Sequence, residues 1–310
     1  MPGIVSTSGT MSPPQPTSPS PRPPGRRRSV DGGTVVRRRS LSSVGVVLAA
    51  LGALLVGPFA QSAQSASHTP SPERAWAAGA RPTIVLVHGA FSGPSAWDAV
   101  SATLRKDGYT TTSVALPLSG VVDDIAAVDA TLDAVAGPKV LVAHSYGGFV
   151  VSNAAAGRTD VSALVFTAAF VPAPGESIIS LGDGYLPAAF LAPGHLTFDS
   201  AGNATITSAY FRDDFAQDLN PRLAATLDRM QRPTNLGILF TPSGSVAWPA
   251  IPCWYAISGA DRVIDPALQR YMATRAGAST ITLDDASHAG GFTHYSTRFA
   301  KLVEQAAAAG

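Results

Sequence analysis

The sequence contains a single cysteine, Cys253, in 310 residues. One thiol excludes an intrachain disulfide, a multi-cysteine zinc site and an iron–sulfur cluster. Charged residues are also few, at 14% of the chain, and aromatic residues make up only 7%, whereas apolar residues reach 45%. This composition is too apolar for a chain that is disordered throughout, and it is sufficient to build a hydrophobic core.

Positive charge is scarce outside the N-terminus. Residues 1–40 hold seven arginines and one acidic residue and carry a formal charge of +6, whereas the remainder holds 15 basic and 20 acidic residues and carries −5. Proteins that bind nucleic acid need a basic surface to neutralise its phosphates. The mildly acidic body therefore predicts that nucleic acid is not a partner.

The N-terminal residues have the layout of an export signal. Residues 1–25 are rich in Pro, Ser, Thr and Gly, Arg37–Leu41 is a basic segment, and Val44–Ala60 is an apolar run that small residues follow. The paired arginines resemble a twin-arginine signal. We predict an export signal with a disordered leader over 1–66 and a tether over 67–80. The protein is then secreted or held in the cell envelope, without membrane contact after cleavage; an uncleaved membrane anchor is the alternative.

Strands and helices alternate from Arg81 to the C-terminus. Continuous apolar, β-branched runs predict buried parallel strands. The predicted strands are Thr83–Val87, Thr110–Leu116, Lys139–Ala143, Ala163–Phe166, Cys253–Ile257 and Ser279–Leu283. The predicted helices are Ser95–Lys106, Asp123–Val135, Gly147–Ala156, Pro266–Ala276 and Ser296–Ala308. This alternation predicts one α/β domain over 81–310, with a doubly wound, mostly parallel sheet and helices on both faces.

The alternation is interrupted after Pro172. Residues 173–250 contain helix-like stretches over Ala209–Leu219 and Pro221–Gln231 and a turn-rich patch at Asp199–Asn203. We predict that this insertion is a partly helical lid on the sheet; a stabilising excursion without a role at the site is the alternative. Apolar side chains of the lid would line a pocket. They are Phe190, Leu191, Tyr210 and Phe211.

A serine lies at the junction between a predicted strand and a predicted helix. The sequence there is Ala143-His144-Ser145-Tyr146-Gly147-Gly148. A serine at such a junction occupies a strained turn and points its hydroxyl above the sheet. The positions two before and two after it must be small, because the turn brings their backbones close together. The pattern predicts Ser145 as a nucleophile.

A serine nucleophile needs a base, which in doubly wound hydrolases is a histidine downstream of the serine and of an acid. His288 lies in the loop after the last predicted strand, and that loop opens onto the carboxyl end of the sheet, where Ser145 must also lie. We therefore predict His288 as the base. His294, near the start of the final helix, is its competitor, and His195 in the lid is at most a substrate contact.

Asp261, just past the penultimate predicted strand, is the predicted acid. Asp265 is its neighbour, but it precedes Pro266 and is typical of a helix cap. Glu176, after the fourth strand, is an outside candidate. Four carboxylates of the second helix are predicted to form a solvated face. They are Asp123, Asp124, Asp129 and Asp133.

The first strand ends in Val87-His88-Gly89-Ala90-Phe91. A loop at this place can aim a backbone N–H at the oxyanion of a tetrahedral intermediate. We predict the N–H groups of Ala90 and Tyr146 as the two donors. Phe91 would then wall the acyl pocket, with plain packing as its alternative, and Trp97 is predicted to be a core residue.

Four motifs together carry a resemblance to a known family. They are His88–Phe91, Ala143–Gly148, Asp261–Gln269 and Ala286–His288. Their combination resembles the α/β-hydrolases, in the branch that contains plant methyl esterases, hydroxynitrile lyases and exported bacterial esterases.

This resemblance, which extends over residues 82–306, implies that Ser145, Asp261 and His288 form a catalytic triad, with the two oxyanion donors predicted above. It also implies a carboxylic-ester hydrolase without a metal or other cofactor. The lyases of the branch have a lysine after the catalytic histidine, where this chain has Ala289, so cyanohydrin cleavage is not expected.

The predicted reaction is therefore hydrolysis of a small or aromatic ester through an acyl-enzyme. Two alternatives stay open. One is a perhydrolase or peroxidase reaction on the same fold without a cofactor, and the other is a non-catalytic protein that binds a small ligand.

Overall fold

The structure is a computed structural model that describes residues 81–183 and 192–309. The predicted export signal and tether, residues 1–80, lie outside the described residues, and so do the predicted lid side chains Phe190 and Leu191. Among the helices of the described part, none is long and apolar enough to cross a membrane.

Six of the eight strands that the described residues form belong to one sheet. The strands are β1 (Thr83–Val87), β2 (Thr111–Val114), β3 (Lys139–Ser145), β4 (Val161–Ala169), β5 (Leu196–Phe198), β6 (Ala204–Ile206), β7 (Cys253–Ser258) and β8 (Ser279–Leu283). The order across the large sheet is β2-β1-β3-β4-β7-β8, and each neighbouring pair is parallel. The predicted mostly parallel sheet is confirmed.

The described residues form eight α-helices. They are α1 (Asp98–Lys106), α2 (Val121–Ala134), α3 (Tyr146–Ala154), α4 (Ile178–Leu181), α5 (Ser208–Phe215), α6 (Pro221–Arg229), α7 (Pro266–Arg275) and α8 (Ser296–Ala309). Helix α1 packs beside α8 and α2 beside α3, while both α3 and α8 contact β3. Because the central strands are covered in this way, β3 is buried at every residue, as its continuous apolar sequence predicts. Trp97, predicted as core, is fully buried.

The order in which strands are added to the sheet reverses between β1 and β3. Strand β1 has β2 on one side and β3 on the other, and all later strands of the sheet lie on the β3 side. In open α/β sheets, the loops that leave two such strands at their carboxyl ends open a crevice where ligands bind. The segments that leave β1 and β3 are His88–Phe91 and Ser145–Tyr146, so the fold places both at this crevice.

Strand β2 is shorter than predicted. The prediction extended to Leu116, but the strand ends at Val114. The backbone N–H of Leu116 instead donates to Nε2 of His88, at 3.1 Å. The side chain of His88, directly after β1, therefore accepts the N–H of Leu116, which is then not available to a neighbouring strand.

The insertion between β4 and β7 combines helices with a small hairpin. Helices α5 and α6 overlap both predicted helical stretches, whereas the antiparallel pair β5–β6 was not predicted. The turn-rich patch forms the hairpin turn, in which Oδ1 of Asp199 accepts the N–H groups of Ala201 and Asn203. Each hairpin strand has three residues, which is too short for a period-two pattern to appear in the sequence.

Candidate active site

Three side chains from distant parts of the chain form one hydrogen-bonded series. Oγ of Ser145 lies 2.9 Å from Nε2 of His288, and Nδ1 of His288 lies 2.8 Å from Oδ2 of Asp261. All three side chains are buried. Because an ionised carboxylate only accepts hydrogen bonds, Nδ1 carries the imidazole hydrogen and Nε2 is the acceptor for the serine hydroxyl. This arrangement can take a proton from Ser145.

Ser145 occupies the strained turn that its sequence motif predicts. Its backbone has φ 53° and ψ −127°, and helix α3 begins at the next residue. Gly147 is needed for this turn, because a Cβ there would lie 2.6 Å from the carbonyl oxygen of His88 and 2.7 Å from that of Val87. The small residue two after the serine therefore lets the turn pack directly on the end of β1.

Asp261 is held by several donors besides His288. Its Oδ1 accepts the backbone N–H groups of Val263 and Ile264, and its Oδ2 also accepts Nε2 of Gln269 at 2.8 Å. Gln269 is fully buried on α7. The sequence analysis did not predict that Gln269 donates to the acid, although its position on the helix that follows Asp261 is a signal for such a contact.

The competing histidines lie elsewhere. His294 is exposed and its ring packs beside Tyr295. His195 lies in the insertion, where Nδ1 is 2.6 Å from Oδ2 of Asp214. Among the described residues, neither of them has a contact with Ser145.

The competing carboxylates also have other partners. Asp265 caps α7, as its position before a proline predicts. Glu176 forms an ion pair with Arg275, at 2.8 Å. The expectation of a solvated acidic face on α2 is wrong for Asp124, which is fully buried. That expectation considered only the sequence of the helix, whereas Asp124 is bonded to a residue outside α2. Its Oδ2 accepts the hydroxyl of Tyr146, at 2.7 Å.

Aromatic rings surround His288. The ring centroid of Phe215, on α5 of the insertion, lies 4.8 Å from the ring centroid of His288. The ring centroid of His144 lies 4.6 Å from that of His288. The N–H of Ala289 also donates to the carbonyl of Phe215, at 3.0 Å. The insertion therefore contacts the predicted base directly. Phe215 was not predicted, although it lies four residues after Phe211 and so on the same face of a helix.

His144 is a buried neutral imidazole behind His288. Burial lowers its pKa well below the usual value, and the neighbouring imidazole of His288 adds to this effect. Its Nε2 donates to the backbone carbonyl of His288, at 3.0 Å. His144 thus holds the backbone of the predicted base without competing for its proton.

His88 is likewise neutral and structural. Burial lowers its pKa to about 4. Since Nε2 accepts the N–H of Leu116, Nδ1 carries the hydrogen and donates to the carbonyl of Gly89, at 2.9 Å. A Cβ on Gly89 would lie 2.7 Å from Cβ of Ser145, so this loop packs directly against the serine.

The two predicted oxyanion donors belong to segments that are next to Ser145 in the chain or packed against it. Tyr146 follows it at the start of α3, and Ala90 follows Gly89 in the adjacent loop. In the described part of the chain no acceptor is found for either backbone N–H. The next N–H, of Phe91, is already used, because it donates to Oγ1 of Thr234 at 2.9 Å.

Phe91 lies beside a small apolar cavity. Its side chain is 8% exposed, and its φ of 60° is unusual for a bulky residue. The apolar residues that line the cavity are Phe91, Ala96, Phe211, Phe215, Leu227, Met230 and Phe292, and Ser92, Gly93 and Ser95 complete its lining. Tyr210, predicted as a pocket residue, is 40% exposed and stacks on His195 instead. Over residues 81–183 and 192–309, no group of three or more potential metal ligands occurs.

Residues 84–305 match the sequence model of the alpha/beta hydrolase family. Among solved structures, polyneuridine aldehyde esterase is 18% identical with a TM-score of 0.62, and the match covers 73% of this chain and 99% of that chain. A pyrethroid hydrolase from Sphingobium faniae JZ-2 is 22% identical with a TM-score of 0.59, covering 74% of this chain and 98% of that chain.

An extracellular alpha/beta-hydrolase from a Paenibacillus species is 19% identical with a TM-score of 0.57, covering 73% of this chain and 98% of that chain. No curated protein is found to match. At such identities the structural similarities establish the shared fold, while the family match supports a hydrolase.

Proposed function

Since the chain belongs to the alpha/beta hydrolase family, we propose that it is a serine carboxylic-ester hydrolase that acts through Ser145, His288 and Asp261. The observation that carries this proposal is the hydrogen-bonded series from serine to imidazole to carboxylate. Its distances of 2.9 and 2.8 Å suit proton transfer, and the imidazole tautomer is the one a general base needs.

In the proposed reaction, Oγ of Ser145 attacks the carbonyl carbon of an ester while Nε2 of His288 takes the hydroxyl proton. The tetrahedral intermediate collapses when His288 passes this proton to the leaving alcohol, and an acyl-enzyme remains. Water then attacks the acyl carbon with His288 as the base, which releases the acid and restores the serine. Asp261 holds the imidazole in place and stabilises its protonated form.

The proposed oxyanion donors are the N–H groups of Ala90 and Tyr146. They belong to the two segments that leave β1 and β3, and no other acceptor is found for them among the described residues. Two such donors, fixed before the reaction, stabilise the negative charge that develops on the ester oxygen.

The proposed substrates are small or aromatic esters. The cavity beside Phe91 is lined by phenylalanine rings, and none of its described lining residues is charged. Phe215 extends this apolar surface to the ring of His288. Solved proteins of the same fold are named an esterase and a pyrethroid hydrolase, which supports ester cleavage as the reaction.

We also propose that residues 1–66 act as an export signal and that the protein works outside the cytoplasm. The basic segment, the apolar run and the small residues that follow it support this proposal. One solved protein of the same fold is named an extracellular hydrolase.

The test is hydrolysis of a short-chain chromogenic ester by the purified full-length chain and by Ser145→Ala, His288→Ala and His294→Ala. We expect kcat to fall by about 10³-fold or more in the first two variants. His294→Ala is the matched control and keeps its activity, because that imidazole is exposed and away from the serine. Activity that survives Ser145→Ala would exclude the proposed nucleophile. A folded parent that fails on every ester but forms peracids or binds a ligand would favour one of the two alternatives.

A further inference from the structure

A segment of the insertion, residues 232–235, holds the loop that carries Ala90. The N–H of Phe91 donates to Oγ1 of Thr234 at 2.9 Å, and the carbonyl of Phe91 accepts the backbone N–H of Arg232 at 3.2 Å. Both polar groups of the Phe91 backbone are therefore fixed by this one segment.

Phe91 needs such support because its backbone is strained. A bulky residue with a φ of 60° lies in the left-handed region, where the Cβ of an L residue crowds the following carbonyl oxygen. A strained residue keeps this conformation only where its surroundings hold it. Two hydrogen bonds provide that restraint: the N–H of Phe91 donates to Thr234, and the carbonyl of Phe91 accepts the N–H of Arg232.

Thr234 is itself rigidly placed. It is fully buried, and its backbone exchanges two hydrogen bonds with Ala204 of β6, at 2.8 and 2.9 Å. Its hydroxyl donates to the carbonyl of Arg232 at 3.3 Å. Since the hydroxyl hydrogen is used there, the oxygen lone pairs face Phe91 as acceptors.

The other end of the loop is fixed through Leu116, which follows β2. The guanidinium of Arg232 donates to the carbonyl of Leu116 at 2.8 Å, and the N–H of Leu116 donates to His88 at 3.1 Å. His88 in turn holds the carbonyl of Gly89. Ala90 thus lies between two anchored residues, Gly89 and Phe91.

We infer that Thr234 is a positioning residue of the oxyanion site. By holding Phe91 in its strained conformation, Thr234 keeps the preceding N–H, of Ala90, directed at the ester oxygen rather than letting the loop relax. This inference rests on the proposed function. It assigns to the insertion a part in catalysis beyond covering the site.

The test compares Thr234→Val with Thr234→Ser. Valine keeps the branched shape but removes the acceptor, whereas serine keeps the hydroxyl and removes one methyl group. We expect Thr234→Val to lower kcat by about tenfold, with KM changed less than about twofold, because the lost stabilisation belongs to the transition state. Thr234→Ser should keep kcat within about twofold of the parent. Should Thr234→Val fail to fold, Thr234→Ala removes the same acceptor with a smaller side chain.

A second readout does not depend on ester turnover. Amide hydrogen exchange of Phe91 should become faster in Thr234→Val and stay slow in Thr234→Ser. Equal kcat values for the parent and Thr234→Val, or equal losses in the valine and serine variants, would overturn the inference. If the parent hydrolyses no ester, or does so without Ser145, the proposed function fails instead. Unchanged exchange at Phe91 would then still overturn the claim that Thr234 holds the loop.

Discussion

The two ends of strand β3 are built in different ways. At its amino end, Nζ of Lys139 lies 2.7 Å from Oδ2 of Asp160, and Arg158 pairs with the same carboxylate at 2.8 Å. Arg158 also reaches Asp133, at 2.9 Å. Each charged side chain at this end therefore has a partner of opposite charge.

At its carboxyl end, six residues later, the same strand carries the backbone strain of Ser145. The imidazoles there, His88 and His144, are buried and kept neutral by that burial. Folding alone would favour the arrangement of the amino end, so the strain at the carboxyl end is the feature that needs a functional reason. Changes at the amino end should therefore affect stability alone, whereas changes at the carboxyl end should affect activity as well as stability.

Gly147→Ala gives the largest expected effect on the carboxyl end. The new Cβ would lie within 2.7 Å of two carbonyl oxygens, those of Val87 and His88, and backbone atoms on both sides leave it no room. We expect the free energy of unfolding to fall by about 3 kcal/mol. The folded fraction should lose at least about tenfold in kcat, because the turn at Ser145 must shift. Urea unfolding and ester hydrolysis measure the two effects.

Gly137→Ala is the matched control at the amino end. Gly137 has a φ of 78°, but a Cβ there would meet nothing within 4 Å. It should cost about 1 kcal/mol in unfolding free energy, from backbone strain alone, and leave kcat unchanged. A Gly147→Ala variant as active and as stable as Gly137→Ala would show that the two ends do not differ as described.

Tyr146→Phe tests whether the buried polar contacts of the carboxyl end also stabilise the fold. Burial raises the pKa of Asp124, although the hydrogen bonds from Tyr146 and Leu118 act against this shift. Without the phenol, the N–H of Leu118, at 2.7 Å, is the one hydrogen-bond donor that the described residues still offer to the buried carboxylate. We expect unfolding free energy to fall by about 2 kcal/mol and kcat to fall several-fold, since the backbone of Tyr146 is a proposed oxyanion donor.

Thermal or urea unfolding of this variant should be compared with that of Tyr109→Phe. The Tyr109 ring is partly exposed and lies under the guanidinium of Arg81, and in the described part of the chain no hydrogen bond from its hydroxyl is found. This control should change neither stability nor kcat appreciably. Equal behaviour of the two variants would mean that Asp124 tolerates the loss of its donor.

The sequence predicted those features whose signals are local. Strand β1 has the predicted bounds, because a run of β-branched residues between turn residues needs no other information. The positions of Ser145 and Asp261 at strand ends follow in the same way. His288 could be placed beside them because the carboxyl ends of parallel strands meet at one edge of the sheet.

Features that depend on long-range contacts could not be predicted. Thr234 lies 143 residues from Phe91 in the chain, and no local pattern connects a threonine in an insertion to a loop after the first strand. Asp124 looked like one of several exposed carboxylates, because its burial depends on Tyr146, which belongs to a different helix. The sequence reveals what the elements are, whereas these contacts depend on how the elements pack.

Asp160→Asn is the mildest change and tests the amino end alone. The pKa of Asp160 is lowered to about 2, mainly by its hydrogen bond with Arg158, and Lys139 adds to the effect. A carboxyl whose pKa is lower in the folded state than in the unfolded state stabilises the fold above its unfolded pKa, near 4. This contribution disappears as the pH falls through the folded pKa, near 2.

Asparagine keeps one oxygen, which can accept from Lys139 and from Nη2 of Arg158, but its NH2 group replaces Oδ1, which accepts Nε of Arg158 at 2.9 Å. Asp160→Asn therefore removes the charge and one hydrogen bond. Since the side chain of Asp160 is 22% exposed, solvent weakens the ion pairs, and we expect a loss of about 1 kcal/mol in unfolding free energy at pH 7. The difference between parent and variant should shrink between pH 4 and pH 2, while kcat stays unchanged. Urea unfolding across this range measures it. A difference that is the same at pH 3 and pH 7 would mean that the charge of Asp160 is not what stabilises this end of the strand.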